Sequence, residues 1–209
     1  GFEKLVYGGL TKVFAGIVIA PIGGLIVGVL LTGLIITVFA NRKPAPVNKT
    51  FGRLQIISSA WFALTHGAND GQKTMGIIAL ILFSAGMIPE LDIPLWVIFA
   101  AAAAMGLGTF FGGYKVIKTL GVKITRLKPY QGFAAETGGG IMLAAFAVLG
   151  IPASTTHAIT GTIMGSGAAR RKRAVRWNVS RQIVFSWIIT IPGAAGMGIG
   201  FTYLIHLFV

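Results

Sequence analysis

The chain has 209 residues, of which 55% are hydrophobic and only 11% are charged, and its formal net charge at pH 7 is +13. An ordinary globular domain carries about 25% charged residues, so this composition excludes a water-soluble particle and predicts an all-α protein that crosses a membrane several times. The absence of cysteine excludes a disulfide framework and a thiolate metal site.

Apolar segments follow one another along the whole chain. The first, residues 13–40, is interrupted by Pro21 and Gly23-Gly24 and would measure about 42 Å as a helix, enough to cross a bilayer obliquely. The later segments are predicted at 54–88, 94–113, 129–149, 151–169 and 182–208. Residues 129–149 and 151–169 form either two spans or a re-entrant hairpin. We therefore predict one transmembrane helical domain over residues 1–209.

The segment 54–88 is unusual because a polar stretch, residues 66–73, lies in its middle. A uniform membrane helix would not contain His, Asn, Asp, Gln and Lys within eight residues. We expect this segment to be a broken span.

Three basic clusters separate the apolar segments and hold 15 of the 18 Lys and Arg residues. They predict cytoplasmic loops at about 41–53, 114–128 and 169–181, because Lys and Arg are retained on the inner side during insertion. This topology places both termini outside, in a multi-pass protein of the plasma membrane. The third cluster can also contact anionic lipid headgroups. No aromatic platform or groove-reading motif accompanies the clusters, so we expect no nucleic-acid partner.

The polar stretch contains the first candidate site. Four of its residues recur at i, i+3, i+4 and i+7 and would share one face of a continuous helix: His66, Asn69, Asp70 and Lys73. An ionised carboxylate near the bilayer centre costs about 2.5 to 3.5 kcal/mol on insertion scales, which indicates a function for Asp70. The flanking Gly67 and Gly71 would allow the backbone to unwind and offer carbonyl oxygens to Na⁺. The alternative is a simple Asp70–Lys73 ion pair on a buried helix face.

The second candidate site is the sequence from Gly150 to His157, in which Pro152 precedes Ser154, Thr155 and Thr156. Proline before small hydroxyl residues is typical of a helix start. Free N–H groups and the positive end of the helix dipole make such a terminus a binding site for a phosphate-like anion. Ordinary capping and hydrogen bonding between helices explain the same residues equally well.

Glu136 is a second acid inside an apolar segment, followed by Gly138, Gly139 and Gly140. It is a candidate cation ligand or proton carrier. The alternative is a carboxylate satisfied near the interface. No set of nucleophile, base and orienting acid is visible, so we expect no enzymatic activity.

The two candidate sites carry motifs that resemble those of the PiT family of inorganic phosphate transporters. The resemblance lies in the sequence from His66 to Gly76 and from Pro152 to Gly161, and it extends through 168–171 and 174–177. Family members are secondary transporters that move phosphate with Na⁺ or H⁺ and are built from two inverted repeats. This chain has one copy of each motif, so it is similar to the C-terminal half of such a protein.

The resemblance implies roles for six residues in phosphate binding, namely Asn69, Asp70, Gln72, Ser154, Thr155 and Thr156. It places the coupling cation at Asn69, Asp70, Glu136 and Thr155, with Asp70 and Glu136 as Na⁺ ligands. The implied partners are inorganic phosphate, Na⁺ or H⁺, membrane lipid and the N-terminal half of the transporter, with a homodimer as a further possibility. No other cofactor is expected.

Charge explains why such a site would need a coupling ion. A phosphate dianion with ionised Asp70 and Glu136 sums to −4, and Lys73 reduces this only to −3, which a low-dielectric cavity does not tolerate. Symport with Na⁺ is favoured. The alternatives are coupling to protons, transport of metal phosphate or sulfate, an anion channel, and a membrane subunit that does not transport.

Overall fold

The structure, a computed structural model, describes residues 7–208, and these residues form six α-helices with no strand among them. The helices are α1 (Tyr7–Val38), α2 (Pro44–Ser84), α3 (Leu95–Lys118), α4 (Pro129–Val148), α5 (Thr155–Ala168) and α6 (Trp177–Phe208). A π-helical turn, Thr119–Ile124, follows α3, and a 3-10 turn, Lys172–Ala174, follows α5. Both termini of the chain, which we expect on the outer side, lie outside the described residues.

The predicted apolar segments are confirmed as helices. Three helical stretches are long and apolar enough to cross a membrane, namely Tyr7–Val38, Leu95–Tyr114 and Trp177–His206. Helix α5 has 14 residues and is therefore about 21 Å long, less than the roughly 30 Å of the hydrocarbon core. This length favours the re-entrant hairpin over two spans for the segment that contains α4 and α5.

The chain divides into two compact units, Gly1–Val175 and Arg176–Val209. In the first unit α4 packs against α1, α2 and α5, α1 also packs against α5, and α3 lies beside α2. Its core contains Ala20, Leu143, Phe146, Ala153 and Ala158, with Phe62, Met142 and Ile151 packed around them. Helix α6 makes up most of the second unit.

Helices α1 and α5 approach until their backbones touch. The buried residues of α1 fall at every fourth position and are all small: Gly16, Ala20, Gly24, Gly28 and Thr32. A β-carbon placed at Gly24 would lie 2.6 Å from the carbonyl oxygen of Ala158, and one placed at Gly165 would collide with the carbonyl oxygen of Leu25. Small residues at this interval are typical of closely packed membrane helices. The close contact of α1 and α5 therefore requires glycine, which has no side chain, at positions such as Gly24 and Gly165.

The predicted break in the second apolar segment is wrong, and the first helix is continuous as predicted. Helix α1 runs through Pro21, whose backbone packs against Gly161 of α5. Helix α2 runs without interruption through residues 66–73. Polar side chains of that stretch form hydrogen bonds with residues of α4, of α5 and of the turn between them, so the helix does not need to unwind to accommodate them.

The predicted loops are also too long. Helix α2 already begins at Pro44, where proline suits the first turn because its missing N–H needs no helical partner, so most of the predicted loop 41–53 is helical. Helix α3 and the π-helical turn extend to Ile124 and occupy most of 114–128. In the third loop, 169–181, helix α6 begins at Trp177.

Replacement of Gly24 tests the close approach of α1 and α5. We expect Gly24→Val to lower the free energy of unfolding by about 1–3 kcal/mol, because the new side chain must push two backbones apart. Gly33→Val is the matched control, since a β-carbon at Gly33 meets no atom within 4 Å. Denaturant unfolding in detergent measures both variants. Equal destabilisation would contradict the role of the glycine stripe of α1, which consists of Gly16, Gly24 and Gly28.

Candidate functional site

The turn between α4 and α5 sets the position of the α5 N-terminus. Gly150 ends α4 in the left-handed conformation, with φ of +59°, and the N–H of Ile151 donates to the carbonyl oxygen of Phe146 at 3.0 Å. Ser154 is the N-cap of α5, and its hydroxyl accepts a hydrogen bond from the N–H of His157 at 3.4 Å. The predicted helix start is therefore confirmed, and it leaves Thr155 buried as the first helical residue.

Three side chains surround the carboxylate of Asp70. The Lys73 Nζ atom donates to Oδ1 at 3.0 Å, and the His66 Nε2 atom lies 3.0 Å from Oδ2. The hydroxyl of Thr155 donates to the same Oδ2 atom at 2.9 Å, although it belongs to the other motif. Both carboxylate oxygens are engaged, which offsets the cost of withdrawing the charge from water.

Two further hydrogen bonds fix α2 against its neighbours. Lys73 donates to the carbonyl oxygen of Ala153 at 2.8 Å, in the turn just before α5. The amide of Asn69 donates to the carbonyl oxygen of Leu143 in α4 at 3.3 Å. The two motifs therefore form one group of side chains, the Asp70 cluster, which consists of His66, Asn69, Asp70, Lys73 and Thr155. The Asp70–Lys73 ion pair considered above is present, but it is one part of this larger arrangement.

The other predicted phosphate ligands lie around the cluster without joining it through their side chains. The side chain of Ser154 is used by the helix cap. Gln72 and Thr156 are exposed. Their roles in phosphate binding stay predictions, and an anion that reached Thr156 would also meet the first N–H groups of α5.

Glu136 lies in a separate place. Its two oxygens accept hydrogen bonds from Gln55 Nε2 at 3.2 Å and from the Ser58 hydroxyl at 2.6 Å, and these three residues form the Glu136 cluster. Ser58 precedes Asp70 by 12 residues on one helix, an axial separation of about 18 Å. At an effective dielectric constant of about 20, two charges that far apart interact by about 1 kcal/mol. The structure does not bring Asp70 and Glu136 into one pocket.

Gln55 and Ser58 were not among the predicted residues. They share the face of α2 that carries Thr65 and Asn69, with intervals of three, seven and four residues between them, and Ser58, Thr65 and Asn69 are buried. Extending the helical period of the motif upstream of residue 66 would have indicated both residues. The expectation of a broken helix concealed this signal.

Most of the described chain is helical, and large apolar side chains such as Phe110 and Phe111 are 80% and 79% exposed. Together with the three helices long enough to span a bilayer, these features define an all-α membrane protein. Residues 39–198 match the model of the phosphate transporter family. The chain belongs to that family, and the resemblance drawn from the two motifs is confirmed.

Relatives of known name agree with this assignment. A protein of Rhizobium meliloti named "Probable low-affinity inorganic phosphate transporter" is 50% identical over 93% of this chain and 59% of its own length. A protein of the same name from Bacillus subtilis is 39% identical over 95% of this chain and 60% of its own. A solved structure named "The sodium-dependent phosphate transporter" matches with a TM-score of 0.63 and 27% identity, over 83% of this chain and 52% of the other. The chain thus spans between half and three fifths of the length of these proteins.

Thr155→Val tests the bond that joins the two motifs. A hydrogen bond to a charged group contributes about 1.5–3 kcal/mol, and we expect a loss of stability of that size because valine keeps the shape of threonine without its hydroxyl. Thr156→Val is the matched control on the exposed side of the same helix turn.

Unfolding measurements on Thr155→Val, Asp70→Asn and the double variant give the coupling energy between the two side chains. We expect a clearly non-additive result. Additive effects of the two substitutions would show that the bond contributes nothing to the cluster.

Proposed function

We propose that this chain is one half of a transporter that carries inorganic phosphate across the plasma membrane together with a cation, by alternating access. The observation that carries the proposal is the hydrogen bond from Thr155 to Asp70, which joins an anion-binding helix terminus to an acidic motif. The names of the relatives, all of them phosphate transporters or permeases, support phosphate as the substrate.

The N-terminus of α5 suits the phosphate. Helix N-termini bind anions through free N–H groups and the positive end of the dipole. The exposed Thr156 adds a hydroxyl donor, whereas the hydroxyl of Thr155 is donated to Asp70. Lys73 lies beside this terminus, because it donates to the carbonyl oxygen of Ala153. We assign phosphate binding to Asn69, Asp70, Gln72, Ser154, Thr155 and Thr156.

The charge at the Asp70 cluster explains the coupling. A phosphate dianion, the Asp70 carboxylate and the Lys73 ammonium sum to −2, and a site of low dielectric constant requires cations to offset that charge. Since α2 is continuous, its carbonyl oxygens are engaged within the helix, so side-chain oxygens of Asp70 and Thr155 are the better ligands for Na⁺. The solved neighbour named as sodium-dependent supports Na⁺ over other cations.

Glu136 supplies a second cation position in this proposal. Its carboxylate, the Ser58 hydroxyl and the Gln55 side chain together offer several oxygens, the ligand type that Na⁺ prefers. With about 18 Å between the two clusters along α2, each acid binds its own cation. The remaining half of the site comes from the N-terminal half of the transporter.

Uptake of radiolabelled phosphate by cells that express the complete transporter tests the proposal. We expect Asp70→Asn to reduce uptake by about 100-fold or more, because a lost charge interaction of roughly 3 kcal/mol corresponds to that factor. Asp92→Asn, which alters an exposed acid between α2 and α3, is the matched control and should leave uptake unchanged.

The same assay separates the alternatives. Uptake that continues in Na⁺-free medium at fixed pH would contradict coupling to Na⁺. Inhibition by sulfate as strong as that by unlabelled phosphate would contradict selectivity for phosphate. Flux that does not depend on any cation gradient would indicate a channel.

Proton coupling is the second candidate, and it is favoured because both hydrogen-bond partners of the Glu136 carboxylate, Gln55 and Ser58, are neutral. If Glu136 carries the coupling proton, uptake should not depend on Na⁺ in either the unmodified protein or Glu136→Gln. The variant should in addition lose the dependence of uptake on the proton gradient. If Glu136 binds Na⁺, the same variant should raise the Na⁺ concentration for half-maximal uptake by about tenfold, as expected when one charge-assisted ligand is lost. Glu90→Gln, at an exposed turn, is the control for both measurements.

A further inference from the structure

A cavity of about 250 Å³ lies where the start of α4 meets the end of α5. It is lined by Thr125, Arg126, Lys128, Gln131, Arg170 and Arg171, and we refer to it as the Arg126 pocket. Helix α5 separates it from the Asp70 cluster, because the pocket adjoins the C-terminus of that helix and Thr155 is at its N-terminus, about 21 Å away.

Four cations line this pocket without a neutralising carboxylate. Both ion pairs within residues 7–208 involve Asp70, and Glu136 faces Gln55 and Ser58. Arg126, Lys128, Arg170 and Arg171 line the pocket and are exposed, and neither of the two ion pairs among the described residues includes any of them. Such a concentration of one sign of charge attracts an anion.

The wall of the pocket is fixed by buried polar residues. Gln131 is 5% exposed, its Nε2 atom donates to the carbonyl oxygen of Ser166 at 2.8 Å, and its Oε1 atom accepts from the Lys128 N–H at 3.0 Å. Thr125 is 3% exposed and packs so close to Gly167 that a β-carbon there would lie 3.0 Å from its side chain. These contacts join α4, α5 and the segment 125–128, which precedes α4. The backbone that carries the cations is therefore held in place by buried contacts.

We propose that the Arg126 pocket binds a phosphate group, either the diester of an anionic lipid headgroup or free phosphate from the aqueous phase. Guanidinium groups match phosphate oxygens with two parallel hydrogen bonds, and three of the four cations are arginines. The volume lies just below the roughly 300 Å³ at which pockets for drug-sized ligands begin, which suits a small anion rather than a large organic molecule. This site is additional to the transport site at Asp70.

Binding measurements on the complete transporter in nanodiscs test the proposal. One arm measures radiolabelled phosphatidylglycerol retained after exchange into phosphatidylcholine. The other measures binding of radiolabelled inorganic phosphate by equilibrium dialysis, in an Asp70→Asn background that disables the proposed transport site. We expect saturable binding of one probe, reduced at least about tenfold in the triple variant R126Q/R170Q/R171Q, because each arginine supplies a charge-assisted hydrogen bond. The probe that binds identifies the source of the phosphate.

Two control variants separate this site from general surface charge. K118Q/K123Q/R173Q removes three exposed cations that do not line the pocket and should leave binding unchanged. R126K/R170K/R171K keeps the three positive charges but removes the guanidinium groups. It should retain part of the probe binding that R126Q/R170Q/R171Q loses. Equal losses in K118Q/K123Q/R173Q and R126Q/R170Q/R171Q, or no saturable binding of either probe, would overturn the proposal.

Discussion

The close contact between α1 and α5 is the constraint on which the rest of the first unit depends. Helix α5 is only 14 residues long and is buried over most of its length, so its position is set by the helices that pack around it. The glycine stripe of α1 and Gly161 and Gly165 of α5 let two backbones meet, where dispersion contacts are densest. Once α5 is fixed, its two ends determine where the Asp70 cluster and the Arg126 pocket can form.

Each end of α5 gathers a different chemistry. At the N-terminus, the Asp70 carboxylate of α2 accepts hydrogen bonds from both Thr155 and Lys73. At the C-terminus, Ser166 accepts from Gln131, and arginines collect around a small cavity. Helix α4 connects the two regions, because its glycines leave room for Trp61 and Phe62 of α2 on one side and for α1 on the other. Helix α5 thus separates the Asp70 cluster from the Arg126 pocket.

Much of this arrangement could be predicted from the sequence, because helical period, turn chemistry and basic loops are local signals. The order of the helices, the N-cap of α5 at Ser154 and the family resemblance all follow from such signals. The continuity of α2 does not follow from local signals. Asn69 and Lys73 donate hydrogen bonds to the carbonyl oxygens of Leu143 and Ala153, which are more than 70 residues away in the chain. The separation of Glu136 from Asp70 is equally non-local, as it depends on which turn of α2 faces α4. Tertiary contacts decided these points, and no neighbouring residue encodes them.

The continuity of α2 has a mechanical consequence. The hydrogen bonds of an α-helix lie parallel to its axis, so a helix of 41 residues resists stretching and transmits a push along its whole length. Ser58 and Asp70 are attached to the same rod, and an axial shift that releases one from its partner shifts the other by an equal distance. An unwound segment between them would have absorbed such a movement. An axial displacement of α2 relative to α4 and α5 would therefore act on the contacts of both carboxylates at once, those of Glu136 on α4 and those of Asp70 on α2.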